Sequence, residues 1–236
     1  VFEDILVEQV RRAVSKCDGE FKVHKSLSRI YVEALTDFDY DELVSTLKCV
    51  FGVIAICPVL VLEDNGFEDL KKRVVEYIDE TYEDTNFTFK VFSKRARKNY
   101  PVNSMEMNCL IGEAILDAYP EVKVDVHKPD VSLYVEVRER IYVYSIIIPG
   151  PGGMPVGSAG KAMLLLSGGL DSPVAGYMIA KRGVRLEAIY FHAPPYTSDR
   201  AKQKVVDLGI LISKYTGPIR LHVINFTEIQ MAIYEK

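Results

Sequence analysis

The stretch "AMLLLSGGLDSPVAGYMIAKRG", residues 162–183, passes from one apolar segment through a Ser-Gly-Gly turn into a second apolar segment. The first segment has the character of a buried strand. The second is typical of a helix whose first turn contains Pro173, where the missing N–H is tolerated. We therefore predict a strand at 162–166 and a helix at about 173–182, joined by a glycine-containing turn.

The segments that follow this stretch alternate between strand and helix character. "RLEAIYF" (185–191) and "IRLHVINF" (219–226) are typical of strands, and "SDRAKQKVVDLGILISKY" (198–215) between them is typical of a helix. Such alternation predicts a parallel sheet with crossover helices. Three strands make only part of such a sheet, so we expect residues 162–236 to be an incomplete domain.

The turn itself carries groups suited to phosphate. Ser167, Gly168 and Gly169 follow the first strand, at the sheet edge where open α/β sheets bind ligands. Glycines allow backbone N–H groups to approach a phosphate, and a helix N-terminus attracts anions. Asp171 would repel a bare phosphate, so its presence indicates a magnesium ion between the carboxylate and a pyrophosphate. The simpler alternative is a tight strand-to-helix turn capped by Ser and Asp.

Residues 1–62 show the pattern of a small α/β domain. Apolar residues from Phe2 to Val14 repeat at helical spacing, and "FKVH" (21–24) and "RIYVEAL" (29–35) are typical of strands. Asp39 and Glu42 form a capping box for a second helix, and "GVIAICPV" (52–59) is typical of one further strand. The order αββαβ predicts a ferredoxin-like domain whose first strand would precede Val1.

Residues 63–148 predict a separate α/β domain, and residues 149–161 a linker. Two helical segments, 66–84 and 104–119, alternate with strand-like runs, and Asn103 with Glu106 can cap the second helix. Three consecutive strand-like runs then follow, "EVKVDVH" (121–127), "VSLYVEVRE" (131–139) and "IYVYSIII" (141–148). The linker assignment rests on the clustered Pro and Gly of "PGPGGMPVGSAGK" (149–161).

The charge of the chain restricts how it can bind nucleic acid. A net charge of −4 excludes a protein that binds polyanions with its whole surface, so any such contact needs a local basic patch. The segment "FKVFSKRARKNYP" (89–101) provides one, with cations interleaved with aromatic residues, a combination suited to an RNA backbone and its unstacked bases. A solvated loop is the simpler alternative. The basic patch consists of Lys94, Arg95, Arg97 and Lys98.

The cysteines and the apolar segments indicate a protein of the cytoplasm. The four cysteines lie far apart and form no C-x-x-C pair, so a disulfide framework or a zinc site is not expected. The longest apolar run, residues 50–62, is too short to span a bilayer and contains Pro58. We therefore expect reduced thiols and no membrane segment.

"SGGLDSP" (167–173) resembles the signature of the PP-loop ATP pyrophosphatases, and the whole chain resembles the tRNA uridine 4-sulfurtransferases, the 4-thiouridine synthetase family. The segments that carry the second resemblance are "FKVFSKRARKNYPVNSMEMNCLIGEAI" (89–115), residues 150–183 and "FHAPPYTSDRAKQKV" (191–205). The family's domain order is ferredoxin-like, THUMP and pyrophosphatase, which agrees with the division drawn above.

The resemblance implies an ATP-dependent transferase that adenylates C4 of a tRNA uridine and replaces its oxygen with persulfide sulfur. It implies ATP and Mg²⁺ as cofactors, tRNA as substrate, a cysteine desulfurase as sulfur donor, a homodimer, and a link to thiamine thiazole synthesis. Asp171 would be catalytic and hold the metal, and the basic patch would bind the tRNA. The implied nucleotide-binding residues are Leu165, Leu166, Ser167, Gly168, Gly169, Leu170, Asp171, Ser172, Tyr190, Phe191 and His192.

Two elements of the implied chemistry are not found after the loop. The family's sulfur-bearing cysteine, and a second basic group near the phosphates, are expected beyond Lys236, and all four cysteines of this sequence precede residue 162. Two other functions remain open from the residues alone. One is a PP-loop ligase or amidotransferase that acts on a metabolite, and the other is a non-catalytic tRNA-binding protein.

Overall fold

The computed structural model describes residues 2–26 and 28–235. The chain forms two compact units: the first unit comprises Val1–Ile56 together with Pro149–Lys236, and the second unit comprises Cys57–Ile148. Within the described ranges, no helix is long and apolar enough to cross a membrane. The domain boundaries expected at residues 62, 148 and 161 remain predictions.

The N-terminal part of the first unit has the expected αββαβ order. The two strands after the first helix pair antiparallel, with Phe21 opposite Ala34. The second helix begins after Asp39, whose Oδ1 accepts the N–H of Glu42 at 2.9 Å, as the capping box predicts. The elements are α1 (Phe2–Val14), β1 (Phe21–Ser26), β2 (Arg29–Ala34), α2 (Tyr40–Leu47) and β3 (Ala55–Ile56).

The second unit is a five-stranded sheet with its apolar face buried. Strand residues such as Phe89, Val91 and Leu133 form one core with residues of two helices, because alternate side chains of a strand point to the same face. Its elements are β4 (Leu60–Leu62), α3 (Phe67–Thr81), β5 (Thr88–Arg95), α4 (Ser104–Ala118), β6 (Lys123–Val124), β7 (Val131–Val137) and β8 (Ile141–Tyr144). The strand order is β4-β8-β7-β5-β6, with β5 parallel to both β6 and β7.

Two side chains fix helix α4 to this sheet. Asn103 caps the helix as predicted, since its Oδ1 accepts the N–H groups of Met105 and Glu106 at 3.1 and 3.0 Å. Asn108, one turn further on, accepts the N–H of Ser93 on β5 at 2.7 Å. The helix therefore hydrogen-bonds to the sheet as well as packing on it.

Two of the strands expected from the sequence are wrong as continuous elements. Residues 52–59 do not form one strand; pairing stops at Ile56 and resumes at Leu60, on either side of Pro58, which has no N–H to donate. Residues 121–127 contain only the two-residue strand β6. The reason is local, since the Asp125 carboxylate accepts the N–H groups of His127 and Lys128 and forms a turn instead.

The C-terminal part of the first unit is the expected parallel sheet with crossover helices. Its strands lie in the order β10-β11-β12, and both pairs are parallel. The first crossover helix begins at Asp171, two residues before the predicted start. The remaining elements of the chain are β9 (Ile148–Pro149), which begins on the last residue of the second unit, β10 (Lys161–Leu165), α5 (Asp171–Ala180), β11 (Arg185–His192), α6 (Asp199–Thr216), β12 (Leu221–Asn225) and α7 (Thr227–Tyr234).

Phe51, from the N-terminal segment, is buried in the core of this parallel sheet. Its side chain is 0% exposed and belongs to the same cluster as Leu166, Leu186 and Val205. Its ring centroid lies 5.1 Å from that of Tyr177 and 5.6 Å from that of Tyr215. The residues on either side of the second unit in sequence therefore share one hydrophobic core.

Candidate functional site

The loop of residues 167–170, which we call the serine-glycine loop, leaves the sheet at the carboxyl end of β10. The last parallel hydrogen bond runs from the N–H of Leu166 to the carbonyl of Ile189 at 2.9 Å. Ser172 Oγ then accepts the N–H of Ser167 at 3.0 Å, and the two serine hydroxyls lie 3.1 Å apart. The N–H of Gly169 donates to Ser167 Oγ at 3.3 Å. The loop is thus closed by its own side chains without a ligand.

Several N–H groups at this loop remain available to an anion. None of the described residues accepts a hydrogen bond from the backbone N–H of Gly168 or Leu170. Helix α5 starts directly afterwards, and its N-cap, Leu170, has no side chain that could cap it. The first N–H groups of the helix are therefore unsatisfied and carry the positive end of its dipole. The loop has the properties of a phosphate site.

Asp171 provides a carboxylate at the same place. It is exposed at the first position of α5, and no hydrogen bond or ion pair to it is found among residues 2–26 and 28–235. A single carboxylate that leaves the other ligand positions to water and phosphate oxygens suits Mg²⁺. The described residues contain no group of three His, Cys, Asp or Glu side chains that would hold a metal by themselves. The residues present therefore fit a metal ion that arrives with a nucleotide.

Close packing of α5 on β10 fixes the position of the loop. A β-carbon placed on Gly176 would lie 2.7 Å from Leu164 Cδ2, closer than real contacts allow. Gly176 and Ala180 are the buried residues of this helix. The absence of a side chain at Gly176 lets the helix backbone approach the strand that carries the loop.

Lys204 lies beside the loop but is absent from the nucleotide-binding residues predicted from the sequence. It lies on α6, and its Cδ would be 3.6 Å from a β-carbon on Gly168, which places its stem beside the loop backbone. The side chain is exposed, and the described residues include no carboxylate in an ion pair with it. The sequence signal was its place near the start of the helix after the second strand, at the same sheet edge as the loop.

The structure separates the expected nucleoside-binding residues into two groups. Leu166 and Tyr190 are 3% and 8% exposed and face the helices. Leu165 and Phe191 lie on the opposite face of the sheet and are 67% and 43% exposed. His192 Nδ1 lies 3.0 Å from Thr197 Oγ1, in the loop that follows β11. An apolar surface next to the serine-glycine loop is thus formed by Leu165 and Phe191.

The basic patch of the second unit is divided in a similar way. Lys94 and Lys98 are exposed. Arg95 Nη1 donates to the carbonyl of Tyr100 at 2.8 Å, and Arg97 Nη2 donates to Asp64 Oδ2 at 2.6 Å. The Arg97 guanidinium also lies 5.7 Å from the centroid of the Tyr100 ring. The two arginines therefore order the loop, and the two lysines are its more exposed cations.

The buried ring of Tyr100 anchors this loop. Its side chain is 6% exposed and belongs to the core of the second unit. Burial raises the pKa of Tyr100, and the nearby Asp64 carboxylate adds to that effect. The phenol is therefore uncharged at neutral pH, which allows the ring to pack in the core beside Arg97.

Comparison with known families matches the chain to three family models in succession. Residues 1–57 match the ThiI ferredoxin-like domain, residues 64–145 match the THUMP domain, and residues 157–236 match the thiamine biosynthesis protein (ThiI) family. These matches confirm the expected fold class, with ferredoxin-like, THUMP and PP-loop domains in that order.

Curated relatives match the whole of this chain. The chain is 63% identical over 237 residues to a probable tRNA sulfurtransferase of Lachnospira eligens and 59% identical over 236 residues to one of Agathobacter rectalis. Each alignment covers all of this chain but 60% of the relative. The chain therefore spans about 60% of the length of the curated relatives that it matches.

Two solved structures are similar to this one. A crystal structure of a 4-thiouridine synthetase in complex with RNA, with bound ATP, matches with a TM-score of 0.88 and 37% identity, over 98% of this chain and 58% of that chain. A protein of Pyrococcus horikoshii matches with a TM-score of 0.81 and 26% identity, over 99% of this chain and 76% of that chain.

Proposed function

Because this chain belongs to the ThiI family, we propose that the protein is an ATP-dependent tRNA sulfurtransferase that converts a tRNA uridine to 4-thiouridine. The observation that carries the proposal is the serine-glycine loop at the carboxyl end of β10. It combines free N–H groups, the N-terminus of α5 and the exposed carboxylate of Asp171. The similar 4-thiouridine synthetase has ATP bound, which supports ATP as the nucleotide.

In this proposal the loop holds the pyrophosphate part of ATP. The N–H groups of Gly168 and Leu170 donate to phosphate oxygens, and the Lys204 ammonium offsets their charge from the α6 side. Asp171 would hold Mg²⁺, which would neutralise part of the phosphate charge. Leu165 and Phe191 form an apolar wall for the nucleoside next to the loop. The buried Leu166 and Tyr190 contribute through the backbone, and His192 contributes at the end of the strand.

The chemistry proposed for this site is activation of a carbonyl oxygen. The C4 oxygen of the uridine attacks the α-phosphorus of ATP, and pyrophosphate leaves from the loop. A persulfide sulfur then attacks C4, and AMP leaves with the oxygen. A second thiol next attacks the carrier sulfur of the new C4–S–S bond, so that this S–S bond breaks, a disulfide forms on the sulfur carrier and 4-thiouridine is released. The residues of this chain orient the α-phosphorus and stabilise the departing pyrophosphate, which is the kind of electrostatic stabilisation that dominates phosphoryl chemistry.

The second unit is proposed to bind the tRNA substrate. Lys94 and Lys98 are the exposed cations, so we assign them to phosphate contacts, and Arg95 and Arg97 to holding the loop in place. A cysteine desulfurase as sulfur donor, a homodimer, a cytoplasmic location and a role in thiamine thiazole synthesis belong to the same proposal. The proposal also includes the division of the chain into a ferredoxin-like domain (1–62), a THUMP domain (63–148) and a PP-loop domain (162–236).

Pyrophosphate release measured with and without a uridine-containing tRNA tests the proposal. We expect release that depends on tRNA and that falls by at least about 100-fold in Asp171→Asn, since a metal contact contributes several kcal/mol. Asp207→Asn is the matched control, because Asp207 lies on α6, away from the loop, and its carboxylate accepts a hydrogen bond from Gln203 at 2.8 Å. Release with a small substrate but no tRNA would favour a metabolite ligase. Binding of tRNA without any release would favour a non-catalytic protein.

A further inference from the structure

The opposite edge of the parallel sheet, away from the serine-glycine loop, carries a cluster of cations that the proposed site does not use. Two of them begin strands β10 and β11, two follow the end of helix α5, and one directly precedes β12. Four of the five are exposed and the fifth is half-buried. We call this cluster the basic edge: Lys161, Lys181, Arg182, Arg185 and Arg220.

The backbone around the basic edge is held in place. Lys161 and Arg185 lie directly opposite each other in the parallel register of β10 and β11. The N–H of Ala188 donates to the carbonyl of Arg220 at 2.9 Å, which places Arg220 level with Glu187, two residues along β11 from Arg185. Neighbouring strands of a sheet are about 4.8 Å apart, so these three cations are spaced by the sheet and not by flexible loops.

Two glycines bring the preceding segment close to the same cations. Gly157 has a φ of +92°, and a β-carbon there would lie 3.2 Å from Arg185 Nη2, so the guanidinium rests against the backbone at a position suited to glycine. A β-carbon on Gly153 would lie 2.4 Å from the carbonyl oxygen of Lys181, so only glycine fits there. The same carbonyl accepts a hydrogen bond from the N–H of Met154 at 2.9 Å. The segment 153–160 is therefore packed against the edge and supports it.

The charge of the basic edge is largely uncompensated. Among the residues that the structure describes, none of the five cations forms an ion pair with a carboxylate within 4.0 Å. Glu187 is the nearby acid: its Oε2 lies 2.9 Å from His222 Nε2, and the pKa of its carboxyl is lowered first by this hydrogen bond and also by the charges of Arg220 and Lys161. Elsewhere on the surface, arginines are paired, as Arg11 and Arg12 are with Glu8. In a chain of net charge −4, five clustered cations with one acid form a local positive field.

We infer that the basic edge is a second RNA-docking surface, which binds the phosphate backbone of the tRNA apart from the serine-glycine loop. Three arginines suit phosphate, since a guanidinium donates two parallel hydrogen bonds to one phosphate group. A strand of five residues spans about 17 Å, so the edge is separate from the loop but close enough for one extended polyanion to contact both ends of the sheet. This inference rests on the proposed tRNA substrate.

The test is tRNA binding by the full-length protein at several salt concentrations. The edge variant is Arg182→Gln with Arg185→Gln, and the matched control is Arg11→Gln with Arg12→Gln, which removes the same charge from arginines paired with Glu8. A phosphate contact contributes about 0.7–0.9 to the slope of log Kobs against log salt. We expect the edge variant to lose about 1.5 from this slope and to bind tRNA at least about 10-fold more weakly at low salt, and the control to bind like wild type.

Two further measurements separate this inference from the proposed function. ATP binding and urea unfolding should match wild type in the edge variant, so that a weaker tRNA complex cannot come from misfolding. A second variant, Lys161→Gln with Arg220→Gln, should also reduce the slope. Wild-type protein that binds no tRNA overturns the proposed function and the inference together. If both edge variants bind tRNA as tightly as wild type, while the double variant Lys94→Ala/Lys98→Ala binds more weakly, the inference alone is overturned. The basic edge would then be a surface for an anionic protein.

Discussion

Replacement of Phe51 by alanine should destabilise the first unit strongly, although Phe51 lies more than 100 residues from the serine-glycine loop in sequence. The ring is 0% exposed and contacts the rings of Tyr177 and Tyr215 at centroid distances of 5.1 and 5.6 Å. Truncation of a buried Phe to Ala costs about 3–5 kcal/mol, from lost burial and from the cavity that remains. We expect a loss near the upper end, because the two tyrosine rings also lose an aromatic partner.

Urea unfolding followed by circular dichroism measures this loss. With an m-value of about 2 kcal/mol/M, a loss of about 5 kcal/mol lowers the urea midpoint of the affected transition by about 2.5 M. The transition of the second unit should not move, since its core contains none of these residues. Phe51→Leu retains most of the side-chain volume and should cost less than about 1.5 kcal/mol.

Phe38→Ala is the matched control for this experiment. Phe38 lies in the same N-terminal segment but is 41% exposed, so its truncation should cost less than about 1 kcal/mol. Equal midpoints for Phe51→Ala and Phe38→Ala would refute the view that the N-terminal segment and the parallel sheet share one core. The same conclusion would follow if only the second unit's transition responded.

Three further predictions concern single contacts. Lys204→Ala should weaken ATP binding about 10-fold in calorimetry, because the Lys204 side chain lies beside the loop. Lys214→Ala, at the far end of the same helix, should leave the affinity unchanged. Equal affinities for the two variants would show that Lys204 does not contact the nucleotide. Asn108→Ala should cost the second unit about 1–3 kcal/mol in urea unfolding, because a partly buried strand N–H loses its acceptor; no change would mean that water replaces the side chain. The hydrogen bond from His222 holds the pKa of Glu187 below its ordinary 4.5. Wild type should therefore have a larger free energy of unfolding than Glu187→Gln above pH 4.5, and this difference should disappear as the pH falls through the lowered pKa. A difference that does not change with pH would contradict this explanation.

Local sequence patterns were sufficient for most of the secondary structure. The caps at Asp39 and Asn103 and the alternation after residue 162 each depend on neighbouring residues, so they could be predicted without the fold. The failures at residues 52–59 and 121–127 were also local. Pro58 interrupts pairing and Asp125 forms a turn, and each competes with an apolar pattern that by itself favours a strand.

The candidate site was predictable in its residue types but not in its geometry. The sequence placed Ser167, Gly168 and Asp171 after a strand, which is enough to predict a phosphate loop. It could not show that Lys204 lies beside Gly168, since 36 residues separate them and only the packing of two crossover helices brings them together. Burial also divides the predicted nucleoside-binding residues into a buried and an exposed group. Alternate residues of a strand face opposite sides, and helices cover one face of this sheet.

The sequence alone therefore determined the order of elements, the position of the serine-glycine loop and the basic patch, because these depend on residues within a few positions of one another. Tertiary structure decided which of the described cations have hydrogen-bond or ion-pair partners and which have none within the described residues. Arg95 and Arg97 are engaged by Tyr100 and Asp64, whereas the cations of the basic edge meet only because three strands begin at one edge of a sheet. It also placed Phe51 in a core formed by residues 156–221, since long-range burial is set by how surfaces fit together and leaves no local signal in the chain.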